Sequence, residues 1–179
     1  MASNPPQLDK LEGLALEYAR IPDWRDRMLG RVHPSKRKRI AAWARQGLRF
    51  KGRMHYTMTT QRSILFHRPR GHFLGAYADC SQYFAACAHW SGVKKVTDED
   101  FTGTLWNKGK VGKPILGGGV IFGAYPGVHI GVFTGRRNGQ WLVSGFGGKY
   151  GPDVNTLGVL EGYFVAHGHP GTRFIDITR

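Results

Sequence analysis

The sequence predicts an α+β protein in which helices come first and antiparallel strands follow. Apolar residues recur at helical spacing up to about residue 91, and short alternating apolar runs replace them from residue 119. An Asn-Gly pair at Asn138-Gly139 separates two of those runs, which is typical of a tight hairpin. With 179 residues, 41% of them apolar, the chain is long enough for one domain with a substantial core.

Helices are expected in the first half of the chain. Residues 7–29 form a mildly amphipathic segment that is interrupted at Pro22, and a second helix begins at Pro34-Ser35 and ends near Gly52. Residues 54–77 show no sustained period and predict a long loop. The next helix begins at Cys80, with Asp79 as its N-cap, and ends at Ser91-Gly92; a short helical turn is expected at 97–100.

Strands are expected in the second half of the chain. The predicted strands are residues 119–122, 128–134, 141–144, 159–166 and 173–178, with the turn of the first hairpin at Asn138-Gly139. This order places a helical layer against an antiparallel sheet.

The charge of the chain is concentrated in one segment. Residues 31–72, called the basic segment below, contain twelve Lys or Arg and no Asp or Glu, whereas the whole chain carries a net charge of +14. Such a segment indicates an anionic partner: a nucleic acid, an anionic cell-wall polymer or a membrane surface. The alternative is a solvated helix face in a basic protein.

The two cysteines are expected to differ in role. Seven residues on one helix separate Cys80 from Cys87 by roughly 10 Å, too far for a disulfide, and two thiols without CxxC spacing do not indicate zinc. At the helix N-terminus, Cys80 lies in a partial positive field that favours the thiolate. Cys87 is expected in the core.

A histidine on a predicted strand is the candidate partner of Cys80. Alternation along residues 128–133 places His129, Gly131 and Phe133 on one face, and Gly131 would leave room for a helix to approach. Taken singly, His129 is more often a satisfied core histidine and Cys80 a small buried apolar residue. Together they predict a nucleophile and its base.

The ordered motifs resemble those of the NlpC-type cell-wall cysteine peptidases, which are papain-like enzymes related to the CHAP amidases. Asp79-Cys80-Ser81 is similar to the family's Asp-Cys-Ser, and a Gly-rich loop then leads to Val120-Ile121-Phe122. Val128-His129-Ile130-Gly131-Val132 is similar to its His-Val-Gly-Ile-Tyr. The resemblance covers roughly residues 50–155 and is closest to versions carried by bacteriophages.

The resemblance implies a fold, a substrate and roles for particular residues. It implies a papain-like Cys/His domain at 35–179, after an N-terminal helical arm at 1–34, that cleaves amide bonds in the peptide part of peptidoglycan. Cys80 matches the nucleophile, His129 the base, Asp79 the preceding aspartate and Tyr56 an upstream tyrosine lining the site.

The residue that would orient His129 stays open at this point. Phage relatives often carry Ser-His-Gly on the next strand, where this chain has Gly145. Ser144 is the nearest polar candidate, and the polar residues Asp153, Asn155 and His167 lie further off.

The expected partner is bacterial peptidoglycan, with the basic segment (31–72) available to hold anionic wall polymers. No cofactor or metal is expected, and neither a secretory signal nor a membrane span is evident. We therefore expect synthesis in the cytoplasm and action on the wall after release, as a lysin or as part of a virion. A nucleic-acid partner is not favoured, because no helix-turn-helix, RRM or zinc-finger pattern occurs.

Two alternatives remain at this stage. One is an acyltransferase or transamidase of the same fold, which would pass the acyl group to an amine. The other is a non-enzymatic binder, because aromatic residues lie among the basic ones and would suit stacking on bases. These are Trp43, Phe50, Tyr56 and Phe66.

Overall fold

The computed structural model describes residue 31 and residues 33–148 and 151–179. The predicted helical segment 7–29, and with it nearly all of the arm 1–34, lies outside the described residues. What is described combines helices with an antiparallel sheet, so the predicted α+β class is confirmed.

The elements follow one another in the predicted order, helices first. The helices are α1 Lys36–Leu48, α2 Ile64–His67, α3 Cys80–Trp90, α4 Thr102–Lys108 and α5 Leu157–Ala166, with a 3-10 turn at Thr60–Ser63. The strands are β1 His55–Tyr56, β2 Tyr77–Ala78, β3 Lys110–Val111, β4 Gly119–Phe122, β5 His129–Arg137, β6 Gln140–Phe146, β7 Pro152–Thr156 and β8 Thr172–Asp176.

Six strands form the main sheet, in the order β3-β8-β4-β5-β6-β7, with every neighbouring pair antiparallel. The predicted hairpin is confirmed: β5 and β6 are joined by Asn138 and Gly139, both at positive φ (48° and 77°). These angles are those of a type I′ turn, which matches the twist of the strands it connects. A separate parallel pair, β1 with β2, lies beside the start of α3.

Helices cover both faces of the sheet. On one face, Ile130 and Val132 of β5 belong to a buried cluster with Tyr83 and Phe84 of α3 and with Trp43 of α1. On the other face, a second apolar cluster packs against α5; it consists of Val120, Phe122, Phe133, Trp141, Val143, Leu157, Leu160, Phe164 and Phe174. The two faces of β5 therefore serve two different helical layers.

The glycine that admits α3 is Gly119, and the expectation for Gly131 was wrong. A Cβ on Gly119 would meet the ring of Phe84 at 2.9 Å, whereas one on Gly131 would meet Val143 at 2.4 Å. Successive side chains of a strand point to opposite faces of the sheet. Because the large side chains of Ile130 and Val132 face α3, Gly131 between them faces the other side.

The strand predicted at 159–166 is wrong, since this stretch belongs to helix α5. Thr156 caps that helix by accepting a hydrogen bond from the Val159 backbone at 3.4 Å. Apolar residues lie on all sides of α5, so no helical period is visible, and its valines favour a strand assignment. At ten residues α5 is short, and no helix in the described part of the chain has the length and apolar character needed to cross a membrane.

Three smaller expectations also change. Residues 54–77 contain β1, the 3-10 turn, α2 and the first residue of β2 instead of one loop, and the turn expected at 97–100 precedes the helix, which begins at Thr102. Strand β7 was not predicted because Pro152, Asp153 and Asn155 are poor strand formers; it lies at the sheet edge, where proline is tolerated.

Much of the basic segment is used inside the protein. Arg39 donates to the carbonyl of Ser91 at 2.6 Å, Arg45 donates to that of Thr134 at 2.9 Å, and Arg62 pairs with Asp79. The exposed basic residues of the segment are Arg31, Lys36, Lys38, Arg53 and Arg70. The solvated positive surface is therefore smaller than the sequence count suggests.

Candidate active site

Cys80 is the first residue of α3, as predicted, and Asp79 is the N-cap. Oδ1 of Asp79 accepts hydrogen bonds from the Gln82 backbone N–H and from the Ser81 hydroxyl, both at 2.7 Å. An N-cap carboxylate satisfies a backbone donor that has no partner within the helix. The local sequence thus fixes the position of the thiol.

The surroundings of Cys80 favour the neutral thiol over the expected thiolate. The residue is only 7% exposed, and burial raises the pKa of its thiol to about 12, with the negative charge of Asp79 adding to the rise. Backbone N–H groups of Ile130, Ser81 and Cys80 itself lower this pKa by a smaller amount. Desolvation therefore outweighs the field of the helix N-terminus.

His129 is the first residue of β5 and belongs to the opposite face of the sheet. Its half-buried ring stacks on Phe164 of α5 at 5.5 Å between centroids and lies 6.2 Å from Phe122. Burial lowers the pKa of His129 to about 4, and the nearby charge of Asp79 raises it by a smaller amount. The imidazole is therefore a neutral base at pH 7.

The starts of α3 and β5, which carry Cys80 and His129, lie near each other, although the ring of His129 packs on the α5 face of the sheet. The backbone N–H of Ile130, which follows His129, acts on the sulfur of Cys80, and Asp79 is close enough to shift the pKa of both groups. Within the described residues, no hydrogen bond joins Sγ of Cys80 to the imidazole. In active sites without substrate such a bond is often long or missing, because catalytic hydrogen bonds often tighten only with substrate bound.

Gly145 explains why no side chain orients His129 from β6. A Cβ on Gly145 would lie 2.6 Å from Nε2 of the imidazole, so the ring occupies the space that a side chain there would need. Ser144, the predicted candidate, belongs to the other face: its hydroxyl lies by the Tyr83 phenol and has no hydrogen-bond partner among the described residues. The structure does not bring Ser144 to His129.

The remaining polar candidates differ in their distance from His129. Asp153 pairs with Gly145 in the β6–β7 register, so it lies on the face of His129, and its carboxylate holds Lys51 at 3.1 Å. Asn155 is on the same face, and its buried Oδ1 has no hydrogen-bond partner in the part of the chain that the structure describes. His167 lies beyond the end of α5, bonded to the Tyr163 carbonyl. Together with His129 these residues line a cavity of about 1140 Å³ between α5 and the sheet.

Tyr56 lies close to Cys80, as the resemblance implied. The parallel pairing of β1 with β2 sets Tyr56 opposite Ala78, two residues before the cysteine. Burial raises the pKa of the Tyr56 phenol to about 12, and Cys80 and Asp79 contribute to the rise. Tyr56 therefore forms part of the wall beside the thiol.

Arg62 is the site residue that sequence reasoning did not assign. Its Nη1 lies 2.9 Å from Oδ2 of Asp79, a carboxylate that is 2% exposed. A buried carboxylate requires a nearby cation or strong hydrogen-bond donors. The need of Asp79 for such a partner was the signal by which the sequence could indicate Arg62. Arg62 belongs to the basic stretch upstream of the cysteine that resembles the phage versions, but with twelve basic residues in the basic segment the sequence did not give it the role of partner to Asp79.

Cys87 is fully buried, and both cysteines are free, as predicted. In the described part of the chain, no three His, Cys, Asp or Glu side chains are grouped as metal ligands.

No family model, curated protein or solved structure matches the chain.

Proposed function

We propose that this protein is a papain-like peptidoglycan hydrolase that cleaves amide bonds with Cys80 as nucleophile and His129 as base. The observation that carries the proposal is the position of the thiol. Cys80 begins a capped helix, and the backbone N–H of Ile130, the residue after His129, lowers the pKa of its thiol.

The first half of the reaction forms an acyl-enzyme. As Sγ of Cys80 attacks the amide carbonyl, a ring nitrogen of His129 accepts the thiol proton, and the carbonyl oxygen takes up the negative charge. Backbone N–H groups at the start of α3 are available to stabilise that oxyanion. His129 then protonates the leaving amine, the C–N bond breaks, and a thioester remains on Cys80.

The second half returns the enzyme to its starting state. Water attacks the thioester while His129 accepts a proton from it, the C–S bond breaks, and the proton passes to the thiolate. The pKa values of about 12 for Cys80 and about 4 for His129 favour a neutral starting pair. Proton transfer therefore accompanies the attack instead of preceding it.

Peptidoglycan is proposed as substrate on the basis of the three ordered motifs around Cys80 and His129. The exposed Lys36, Lys38 and Arg53 would favour contact with anionic wall polymers. The fate of the protein, as a free lysin or as part of a virion, belongs to the same proposal.

The deciding experiment is digestion of purified peptidoglycan, with mass spectrometry of the released fragments. Wild type is expected to release fragments with new free amino groups, and Cys80→Ala is expected to release none. Cys87→Ala is the matched control, because Cys87 is buried two turns along the same helix and should leave activity intact.

Two outcomes would contradict the hydrolase. Full activity of Cys80→Ala would exclude a thiol nucleophile. No release by wild type, with retained binding to the polymer, would favour a non-enzymatic binder.

A further inference from the structure

The reaction proposed above needs two elements, the start of α3 and the start of β5, to be held in a fixed relation. Cys80 and His129 themselves share no hydrogen bond in the described part of the chain. The two starts are joined instead by a series of polar contacts that passes through Asp100 and Thr102 and ends at the carbonyl of Gly127.

The first link joins the start of α3 to the backbone of Asp100. The side chain of Gln82, which is fully buried, donates from Nε2 to the Asp100 carbonyl at 2.8 Å. Nη1 of Arg62, which pairs with the N-cap Asp79, donates to the same carbonyl at 3.3 Å. Two donors from the cysteine side therefore converge on one carbonyl oxygen.

The second link is the carboxylate of Asp100, which is 1% exposed. Its oxygens accept hydrogen bonds from the Thr97 backbone at 2.8 Å, from the Thr104 hydroxyl at 2.7 Å and from Nζ of Lys108 at 2.7 Å. Because two of these donors belong to α4, the carboxylate fixes that helix relative to α3.

The third link joins α4 to the residues just before β5. Thr102, the first residue of α4, donates from Oγ1 to the carbonyl of Gly127 at 3.0 Å. Gly127 has a φ of +83°, and a Cβ there would meet Ile121 at 2.3 Å and Thr102 at 3.6 Å. The chain is therefore closely packed at this point, two residues before His129.

We propose that Thr102 is a positioning residue, whose hydrogen bond to Gly127 holds the start of β5, and so His129, in register with Cys80. This inference rests on the proposed Cys80–His129 pair. Thr102 touches neither the thiol nor the imidazole, so its effect is exerted through the backbone.

The test compares Thr102→Val, which removes the hydroxyl, with Thr102→Ser, which keeps it. Misplacement of a catalytic group by a fraction of an ångström is expected to lower kcat on peptidoglycan about tenfold in Thr102→Val, with KM nearly unchanged. Thr102→Ser should retain wild-type kcat. A purely structural role would instead lower the melting temperature of Thr102→Val and leave kcat unchanged.

A second readout does not depend on turnover. The rate at which iodoacetamide alkylates Cys80 is measured against pH in a Cys87→Ala background, for wild type, His129→Ala, Thr102→Val and Thr102→Ser. If His129 assists removal of the thiol proton, His129→Ala alkylates more slowly near neutral pH. The alkylation rate of Cys80 in Thr102→Val should then lie closer to that in His129→Ala, and the rate in Thr102→Ser should equal that of wild type.

The outcomes separate the two proposals. If Thr102→Val follows wild type in both readouts while His129→Ala does not, the positioning role is overturned and the pair stands. If Cys80 is alkylated at the same rate in His129→Ala and in wild type, and wild type releases no fragments from peptidoglycan, the proposed Cys80–His129 pair is wrong. The positioning role of Thr102 is then overturned as well.

Discussion

At the scale of single residues, the closest fit in the site is that between Gly145 and the imidazole of His129. Gly145→Ala would place a Cβ 2.6 Å from Nε2, so the ring must move. Because the proposed reaction requires His129 to approach the thiol of Cys80, we expect displacement of the ring to lower kcat at least tenfold, on the order that misplaced catalytic groups show. Peptidoglycan digestion by the purified variant measures it.

Gly112→Ala is the matched control for that substitution. Gly112 has no neighbour within 4 Å of the added Cβ and no positive φ, so activity and stability should stay at the wild-type level. Equal activity of Gly145→Ala and wild type would show that the position of the His129 ring is not critical.

The roles of residues near Cys80 could be predicted from the sequence where they depend on interactions with neighbours in the chain. Asp79 caps the helix that follows it within three residues, so its role is readable from the sequence. Arg62 pairs with Asp79 across a separation of 17 residues in the chain. The sheet face on which His129 lies depends on the neighbouring residues of β5, because the larger side chains pack against α3. Contacts of these two kinds are set by tertiary packing, which a single sequence does not display.

At the scale of elements, the start of α3 depends on a single carboxylate. Asp79→Ala removes the cap of Gln82 and Ser81 and leaves the Arg62 guanidinium without its partner. We expect the free energy of unfolding to fall by roughly 2–4 kcal/mol, combining loss of a cap with an uncompensated, partly buried charge. Asp79→Asn should cost less, because its amide oxygen still caps the helix.

Urea unfolding of these variants, followed by circular dichroism, provides the measurement. The control is Asp98→Ala, because the Asp98 side chain is 42% exposed and pairs only with His67. That surface variant should stay within about 0.5 kcal/mol of wild type. Equal stability of Asp79→Ala and Asp98→Ala would contradict the role assigned to the cap.

The elements that were predicted correctly carry strong local signals. The β5–β6 hairpin has its Asn-Gly turn, and α3 has an N-cap and a glycine after its last turn. Helix α5 has neither a visible period nor a buried residue, so its conformation follows from its position on the outer face of the sheet. The same holds for β7, which forms because β6 offers it an edge.

At the scale of the whole molecule, the half-buried His129 makes stability depend on pH. Its pKa is about 4 in the folded protein and about 6.5 when unfolded, so the unfolded chain binds the proton more readily. The contribution of neutral His129 to the free energy of unfolding is complete above about pH 6.5 and is lost as the pH falls through about 4. The free energy of unfolding changes by about 3 kcal/mol over this range.

The measurement compares the unfolding free energy of wild type and His129→Phe at pH 7 and pH 4. A phenyl ring can occupy the aromatic stack with Phe164 without titrating. The gap between the two proteins should therefore shift in favour of the variant at pH 4. An unchanged gap would show that the imidazole does not titrate in this range.

The basic segment also illustrates what composition can establish. The count of twelve cations is correct, but several of them bond to backbone carbonyls and buried carboxylates within the fold. Charge patterning alone does not distinguish a cation that faces solvent from one that anchors a helix.

The place of β8 in the sheet has a consequence for biosynthesis. This strand follows all the others in the chain, yet it lies between β3 and β4 and pairs with both. While the ribosome is still synthesising residues 172–176, one edge of β4 has no partner and β3 has no neighbour. The nascent chain therefore presents an open strand edge until β8 has been made, the condition under which chaperones bind and chains aggregate.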